Sequence, residues 1–274
     1  MSSLLEVDQH FAFGENWQSY AQLIDSKRIA QAEDGMRHLF PNGELQGKSF
    51  LDIGCGSGLH SLAAIRMGAV EIDATDLDPN SIAAATFTLS NNAPGGNWKA
   101  RVKSVFDLDP REGQYDVVYS WGVLHHTGDM WRAVDKAAAM VKPGGRFAVA
   151  LYRKTPVCGF WALEKKFYTR SPRPVQALLR AIYEGAMFAK LLLTLRSPFR
   201  YLRDFNTRGM NFSHDVHDWL GGYPYESAAP QRVRDFLKAR GFRVERDFIT
   251  APGSGIWGSG CDEFVAVRES KSAA

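Results

Sequence analysis

Between Ser49 and Tyr152 the chain alternates short apolar runs with longer stretches that carry apolar residues at helical spacing. This alternation is typical of parallel strands joined by crossover helices, and it predicts an α/β fold with a doubly wound, Rossmann-like sheet. The Lys-Pro-Gly-Gly sequence at residues 142–145 is expected to end a helix and to turn the chain into the next strand. The predicted strands cover residues 50–53, 70–75, 99–105, 115–120 and 146–151, and the predicted helices cover residues 59–67, 79–91 and 130–141.

The alternation stops after Tyr152 and resumes near Ala229 with a predicted helix at 230–240 and strands at 242–248 and 263–267. These strands would complete a mostly parallel seven-stranded sheet. The interval is rich in aromatic and basic residues, and we expect it to form a helical cap insertion above the carboxyl edge of the sheet. The predicted division is an N-terminal helical segment at 1–48, a ligand-binding core at 49–152, a substrate-side cap at 153–228 and a C-terminal completion of the core at 229–274.

The composition of the 274-residue chain is that of a globular protein, with 45% hydrophobic and 23% charged residues. The net charge of +3 does not demand a nucleic-acid partner. Cys55, Cys158 and Cys261 lie far apart in the sequence, so neither a disulfide framework nor a zinc site is expected. Residues 1–10 lack a signal-peptide pattern, and the apolar stretch 186–195 is about half of the roughly 20 residues that a bilayer span needs. We therefore expect a cytoplasmic protein without a transmembrane segment.

The sequence Leu-Asp-Ile-Gly-Cys-Gly-Ser-Gly at residues 51–58 follows a predicted strand and precedes a predicted helix. Gly54 and Gly56 let the backbone turn tightly and approach a ligand, and Gly58 eases the start of the helix. The loop therefore predicts a nucleoside cradle. The spacing differs from the dinucleotide pattern G-x-G-x-x-G, whose third glycine would fall on Leu59, and Asp52 suits an ammonium group, so a nicotinamide cofactor is disfavoured.

Two further predicted strands end in residues suited to a nucleoside. Asp76 lies about 20 residues beyond the glycine loop, where a carboxylate can accept both ribose hydroxyls. Asp78 precedes Pro79 and is expected to cap a helix. At the end of the third strand, Asp107 is a candidate partner of the adenine amine, and the residues expected to border the adenine ring are Ser104, Val105 and Phe106.

These motifs resemble the class I S-adenosylmethionine-dependent methyltransferase family. The resemblance rests on the loop D-I-G-C-G-S-G, Asp76 in A-T-D-L-D-P, the segment Y-D-V-V-Y-S-W-G-V-L-H-H and K-P-G-G, and it favours the branch of ubiquinone-type O-methyltransferases. It implies S-adenosylmethionine as cofactor, S-adenosylhomocysteine as product, and a methionine end bordered by Ser120 and Trp121. The predicted cofactor-binding residues are Asp52, Gly54, Cys55, Gly56, Gly58, Asp76, Leu77, Ser104, Val105, Phe106, Ser120 and Trp121.

Histidines provide the candidate general bases, since their unperturbed pKa of about 6.5 allows proton uptake near neutral pH. His214 and His217 are the first candidates, because they are spaced i, i+3 close to Asp215. His125 is the reserve candidate, because it follows the fourth strand where the resemblance places residues near the methyl group. No metal is expected there, because His125 and the adjacent His126 cannot readily chelate one ion. The predicted substrate-binding residues are Tyr152, Arg153, Asp215, Trp219, Tyr223 and Tyr225.

Three classes of acceptor stay open. The leading hypothesis is O-methylation of a small hydroxylated metabolite, with N- or C-methylation as alternatives. A tRNA-modifying enzyme is the second, because related enzymes share the glycine loop and the histidine. The third is a membrane-surface enzyme with a lipid substrate, based on the apolar stretch 175–202 and its arginines, although a core-packed cap helix explains that stretch more simply. The basic cap residues behind the tRNA hypothesis are Lys165, Lys166, Arg170, Arg173, Arg180, Arg196, Arg200 and Arg203, interrupted by Glu164, Glu184 and Asp204.

Overall fold

The computed structural model describes residues 13–206, 212–249 and 260–270, which form a seven-stranded α/β fold. The strand order is β3-β2-β1-β4-β5-β7-β6. Strands β1 to β5 pair in parallel, and β7 is antiparallel to both β5 and β6, so the predicted mostly parallel sheet is confirmed. The strands are β1 (Ser49–Ile53), β2 (Glu71–Asp76), β3 (Trp98–Val102), β4 (Tyr115–Trp121), β5 (Val141–Tyr152), β6 (Phe242–Phe248) and β7 (Cys261–Arg268).

Helices precede the sheet, connect its strands and fill the interval between β5 and β6. Asp78 caps α4 by accepting a hydrogen bond from the Asn80 backbone N–H, as the sequence predicts, and Pro79 lies in the first turn of that helix. The helices are α1 (Phe13–Ala21), α2 (Ser26–Leu39), α3 (Leu59–Arg66), α4 (Pro79–Asn92), α5 (Met130–Ala139), α6 (Cys158–Arg170), α7 (Arg173–Leu193), α8 (Pro198–Asn206), α9 (Phe212–Gly221) and α10 (Pro230–Lys238).

The core lies on both faces of the sheet. Neighbouring residues of one strand enter opposite clusters, because successive side chains of a strand point to opposite faces. Leu51 and Val118 pack in one cluster with residues of α5 and α10, whereas Phe50 and Val117 pack in the other with residues of α2 and α3. Burial on both faces explains why these strands appear in the sequence as continuous apolar runs.

Two strand boundaries differ from the prediction. The residues 142–145 lie inside β5, where Tyr115 pairs with Val141 and Val117 pairs with Arg146, so the turn is a bulge within the strand. The preceding helix already ends at Ala139. Strand β3 ends at Val102 because the chain enters a 3₁₀ turn over Val105–Asp107.

The cap helices α6 to α9 have a small apolar cluster of their own. Its buried members are Tyr168 of α6 and three residues of α9, namely Phe212, Val216 and Leu220. Within the described ranges, no helix is both long and apolar enough to cross a membrane.

Candidate functional site

The glycine loop begins where β1 ends, at the carboxyl edge of the sheet. Gly54, Gly56 and Gly58 have φ angles of +76°, +52° and +74°, a conformation that favours glycine. The backbone N–H groups of Gly54 and Cys55 both donate to the Thr75 carbonyl, at 2.7 and 3.0 Å, which ties the loop to β2. The loop is therefore a turn that hydrogen bonds hold in place at the carboxyl end of β1.

Side chains at the loop glycines would collide with neighbouring elements. A Cβ atom at Gly54 would lie 2.4 Å from the Val123 side chain, and one at Gly56 would lie 3.0 Å from the Trp17 ring. Trp17 belongs to α1, so this helix covers the loop. The loop backbone therefore packs closely against α1 and against the turn that follows β4.

Asp76 lies at the end of β2 and faces the loop. One carboxylate oxygen accepts a hydrogen bond from the Gly56 N–H at 3.1 Å, and the other accepts one from the Asp78 N–H at 3.0 Å. Burial raises the pKa of Asp76 despite these bonds. A carboxylate can accept about four hydrogen bonds, so each oxygen retains capacity for a ligand hydroxyl.

Asp52 is buried in β1, two residues before the first glycine of the loop. The Ser61 hydroxyl donates to it at 2.6 Å. Desolvation raises the pKa of Asp52 to about 7, and the nearby Asp76 carboxylate adds to this rise. A cationic ligand group beside Asp52 would stabilise its charged form.

The carboxyl ends of β3 and β4 border the same edge. Ser104 caps the 3₁₀ turn by accepting a hydrogen bond from the Phe106 N–H at 3.2 Å, and Val105 is buried in the core. The Ser120 hydroxyl donates to the Ile53 carbonyl at 2.9 Å, so it joins β4 to β1. The Trp121 indole donates to the Glu263 carboxylate at 2.5 Å and is partly exposed.

His125 is fully buried in the 3₁₀ turn after β4, and its protonation is set by its neighbours. The Tyr152 backbone N–H donates to Nδ1 at 3.3 Å, so Nδ1 carries no proton and the neutral ring holds its proton on Nε2. Burial, with smaller effects of His126 and Lys165, keeps the pKa of His125 well below its usual value. Nε2 has no hydrogen-bond partner within the described ranges. His125 therefore offers an N–H donor and not a base.

An aromatic cluster extends from His125 toward the cap. The Tyr152 ring lies 3.9 Å from the His125 ring, 5.6 Å from the Trp219 ring and 5.4 Å from the Tyr225 ring. Trp161 of α6 lies 5.4 Å from Trp219, measured between ring centroids. The cluster joins the ends of β4 and β5 to α6 and α9. We call it the aromatic box, and its members are His125, Tyr152, Trp161, Trp219 and Tyr225.

Lys165 of α6 is fully buried against this box. Its ammonium nitrogen donates to the Trp219 carbonyl and lies 3.7 Å from the centroid of the Trp219 ring and 5.4 Å from that of the Tyr225 ring. Burial lowers the pKa of Lys165. Lys165 is one of the basic cap residues behind the tRNA hypothesis, and its burial keeps its charge off the surface that would meet RNA.

A family model described as a methyltransferase domain matches residues 24–212, which is more than half of the chain. The chain belongs to this methyltransferase family. The motifs at residues 51–58 and 76 and the seven-stranded sheet are those of its class I S-adenosylmethionine-dependent members, so the resemblance stated above is confirmed.

Curated relatives match the core of the chain. The ubiquinone biosynthesis O-methyltransferase of Xanthomonas euvesicatoria is 35% identical over 114 residues, which are 41% of this chain and 46% of that protein. The ribosomal protein L11 methyltransferase of Xanthomonas axonopodis is 36% identical over 109 residues, which are 40% of this chain and 33% of that protein. The match thus spans less than half the length of either relative.

A solved structure extends the likeness to most of the fold. The magnesium protoporphyrin IX methyltransferase from Synechocystis, determined with bound SAH, aligns with a TM-score of 0.54 and 17% identity. The alignment covers 89% of this chain and 84% of that one. At this identity the likeness concerns the fold alone.

S-adenosylmethionine is the cofactor of this family, and the residues at the sheet edge fit it. The glycine loop has no room for side chains. Asp52 is buried and Asp76 is half-buried, and the raised pKa values of both carboxyls favour a ligand with a cationic group and hydroxyl donors. Cys55 is buried beside them, and Leu77 follows Asp76 at the strand end.

The predicted substrate residues are only partly brought together. Tyr152, Trp219 and Tyr225 meet in the aromatic box, as described above. Tyr223 and Arg153 are half-buried, and the Arg153 backbone bridges to Ala228.

Of the three predicted bases, His125 belongs to the aromatic box, and His217 lies beside Tyr168 of α6. Nδ1 of His217 is 2.6 Å from the Tyr168 hydroxyl. Because a helix turns by roughly 100° per residue, His217 and Trp219 point to nearly opposite sides of α9. His217 therefore contacts Tyr168 of α6, whereas Trp219 contacts Trp161 and Lys165 of the same helix. The side chains of His214 and Asp215 lie outside the described residues.

Sequence reasoning missed Lys165 and Trp161. Their spacing held the signal, since the buried residues of α6 are Cys158, Trp161, Lys165 and Tyr168, which follow an i, i+3, i+7, i+10 pattern. A lysine in register with three buried positions lies on the inner face of its helix.

Proposed function

We propose that this protein transfers the methyl group of S-adenosylmethionine to a hydroxyl oxygen of a small planar acceptor held in the aromatic box. The observation that carries this proposal is the buried Lys165, which lies against the rings of Trp219 and Tyr225 and is near enough to His125 to help lower the pKa of that imidazole. A lysine in such surroundings is a candidate proton acceptor, because burial favours its neutral form.

The sheet edge supplies the cofactor contacts in this proposal. Asp76 accepts the ribose hydroxyls, Asp52 faces the ammonium group of the methionine moiety, and residues 104–106 border the adenine. The backbone of Ser120 and Trp121 borders the methionine end, because the Ser120 hydroxyl is already bonded to β1. Bound S-adenosylmethionine supplies a sulfonium-activated methyl group.

The acceptor residues orient the hydroxyl and remove its proton. Neutral Lys165 accepts the hydroxyl proton, and the resulting ammonium and the His125 Nε2–H hold the oxygen as an anion. The oxygen then bonds to the methyl carbon as the carbon–sulfur bond breaks, and the electron pair of that bond stays on sulfur. The rings of Tyr152, Trp219 and Tyr225 favour a planar acceptor, because aromatic surfaces stack.

We also propose the cellular compartment in which the enzyme works. Cys55, Cys158 and Cys261 form no disulfide in the described structure; Cys158 and Cys261 are the first residues of α6 and β7. Cysteines without disulfides fit the reducing cytoplasm. We therefore propose a cytoplasmic enzyme.

Incubation with a metabolite extract and methyl-labelled S-adenosylmethionine tests the function. Mass spectrometry of the product identifies the labelled atom, and a labelled oxygen supports the proposal. Label on nitrogen or carbon, or label in added tRNA or ribosomal protein and not in small molecules, would contradict it. The relatives named above carry different acceptors in their names, so this experiment decides between them.

The variant Lys165→Met tests the base. Turnover with the identified acceptor should fall by roughly 10²- to 10⁴-fold, while cofactor affinity stays unchanged. Lys166→Met is the matched control, because Lys166 is the exposed neighbour on the same helix. Parental turnover should rise with pH through the pKa of Lys165, because the neutral amine is the reactive form. Unchanged turnover in Lys165→Met would exclude this role.

A further inference from the structure

The outer face of α6 is apolar. Phe160, Leu163 and Phe167 are all exposed, and Leu163 has 71% of its surface accessible. Their i, i+3, i+7 spacing places them on one side of the helix. Trp161 and Lys165 occupy the other side and face the aromatic box. Helix α6 therefore has two apolar faces, and only the inner one is covered by the described structure.

Helix α7 repeats this arrangement. Leu178 and Ile182 are exposed at i, i+4 spacing, whereas Leu179 and Tyr183 pack toward the apolar cluster of the cap. The core-packed interpretation of this stretch is thus wrong for its outer side.

The apolar surface continues past the end of α7 into α8, since α7 contacts both α6 and α8. Leu193 and Phe199 are each 86% exposed, and Leu195 is 97% exposed. Single exposed apolar residues are ordinary, but a run of them on consecutive, touching helices marks an interaction surface. We call this surface the outer cap face, and its apolar members are Phe160, Leu163, Phe167, Leu178, Ile182, Leu192, Leu193, Leu195 and Phe199.

The charged residues that are exposed between residues 154 and 200 have one sign. Glu164 and Glu184, the acids between residues 154 and 200, are only partly exposed. The fully exposed charged residues of this stretch are Lys154, Lys166, Arg170, Arg173, Lys190, Arg196 and Arg200. The outer cap face therefore combines apolar side chains with positive charge.

We propose that the outer cap face docks on the surface of an anionic lipid bilayer. Lipid phosphates complement the lysines and arginines, and the interface between headgroups and acyl chains accepts the leucine and phenylalanine side chains. A second copy of this chain fits less well, because two such faces would bring positive charge against positive charge. RNA fits less well too, because leucine and isoleucine side chains offer no flat surface for base stacking.

Docking of the outer cap face would hold the aromatic box at a fixed distance from the bilayer surface. Helix α6 carries Leu163 toward the bilayer and Lys165 toward the aromatic box. This step rests on the proposed function. An acceptor that partitions into the membrane would be separated from the aromatic box by about one helix diameter, on the order of 10 Å.

Flotation with vesicles tests the docking independently of any acceptor or turnover. The full chain should float with vesicles of phosphatidylcholine and phosphatidylglycerol, and less with phosphatidylcholine alone, and added salt should weaken the binding. The double variant Phe160→Ser/Phe167→Ser should reduce the partition coefficient by on the order of tenfold or more. Phe87→Ser and Val102→Ser are matched controls, because both residues are exposed apolar residues outside the cap, and they should bind as the parent does.

The charge variants test the same surface without altering its apolar residues. Lys166→Gln and Arg170→Gln should each weaken binding to phosphatidylglycerol vesicles by about fivefold, the effect of one juxtamembrane charge. Both residues are exposed, so the variants should keep the parental melting temperature even where the double serine variant does not.

Three outcomes would overturn the proposal. The first is equal vesicle binding by the parent and by all cap variants. The second is a parental dimer in analytical ultracentrifugation that Phe160→Ser/Phe167→Ser converts to a monomer, since a second copy would then cover the face. The third is binding of labelled tRNA that is stronger than vesicle binding at the same salt and is lost in the same variants.

Discussion

The buried charge of Asp52 costs folding free energy, and we propose that the same charge binds the cofactor; the variant Asp52→Asn separates these two effects. The carboxyl is buried, accepts a hydrogen bond from Ser61, and has its pKa raised from 3.8 to about 7. A rise of roughly three units corresponds to about 4 kcal/mol at 1.36 kcal/mol per unit. Asparagine has nearly the same shape and can still accept the Ser61 hydrogen bond, so the variant removes the charge and little else.

The sign of the stability effect follows from proton binding. Between pH 4 and 7 the folded protein keeps a proton on Asp52 that the unfolded chain has lost, so the parental free energy of unfolding falls as pH rises. The variant Asp52→Asn lacks this contribution to the pH dependence of the free energy of unfolding. At pH 8, without cofactor, Asp52→Asn should therefore be more stable than the parent by up to about 4 kcal/mol, and near pH 4 the two should agree.

Cofactor binding should respond in the opposite way. The ammonium group of S-adenosylmethionine would favour the ionised carboxylate, so parental binding should release a proton near neutral pH and strengthen as pH rises. Asp52→Asn should bind more weakly at pH 8 and lack this proton release. Urea denaturation across this pH range gives the stability, and calorimetry in two buffers of different ionisation enthalpy gives the proton count. If the free energies of unfolding of parent and variant changed with pH in parallel, the reasoning would be refuted. Asp76 contributes to the pH dependence of both proteins, so only the difference between the two curves reports on Asp52.

Three further predictions concern single side chains. Asp76→Ala should weaken cofactor binding by about 1.5 to 3 kcal/mol, the range for hydrogen bonds to a charged group, and calorimetry that shows parental affinity would remove the ribose assignment. Trp17→Ala should weaken cofactor binding by on the order of tenfold, because the ring covers Gly56, and it should leave α4 intact in circular dichroism. His217→Gln should retain about parental turnover if Lys165 is the base, whereas a loss of two orders of magnitude would restore His217 as a candidate.

The sheet and the glycine loop were predictable because local sequence determines them. Parallel strands buried on both faces are mostly apolar, as at residues 50–53, where Asp52 is the one exception, and the turn after Ile53 needs glycine wherever φ is positive. The Asp78 cap follows from the same local logic, since an acid before a proline at a helix start has few other roles. These features depend on neighbours within a few residues.

The aromatic box was less predictable from the sequence. The burial and protonation of its residues depend on contacts between residues that are far apart in the chain. Lys165 becomes buried only because α9 brings Trp219 over it, a contact between residues 54 positions apart. The proton on His125 is placed by the backbone N–H of Tyr152, 27 residues away. The bulge at residues 142–145 likewise depends on pairing with β4. A chemical role that depends on such partners cannot be inferred from residue type alone.

Helix α1 links the two halves of the site. Trp17 lies over Gly56 on the cofactor side, while Phe13 lies 5.6 Å from the His126 ring on the acceptor side. The helix is held by Asp78, which accepts hydrogen bonds from both Gly14 and Asn80 and so caps α4 and anchors α1 with one carboxylate. Helix α1 therefore contacts both the glycine loop and the turn that carries His125 and His126.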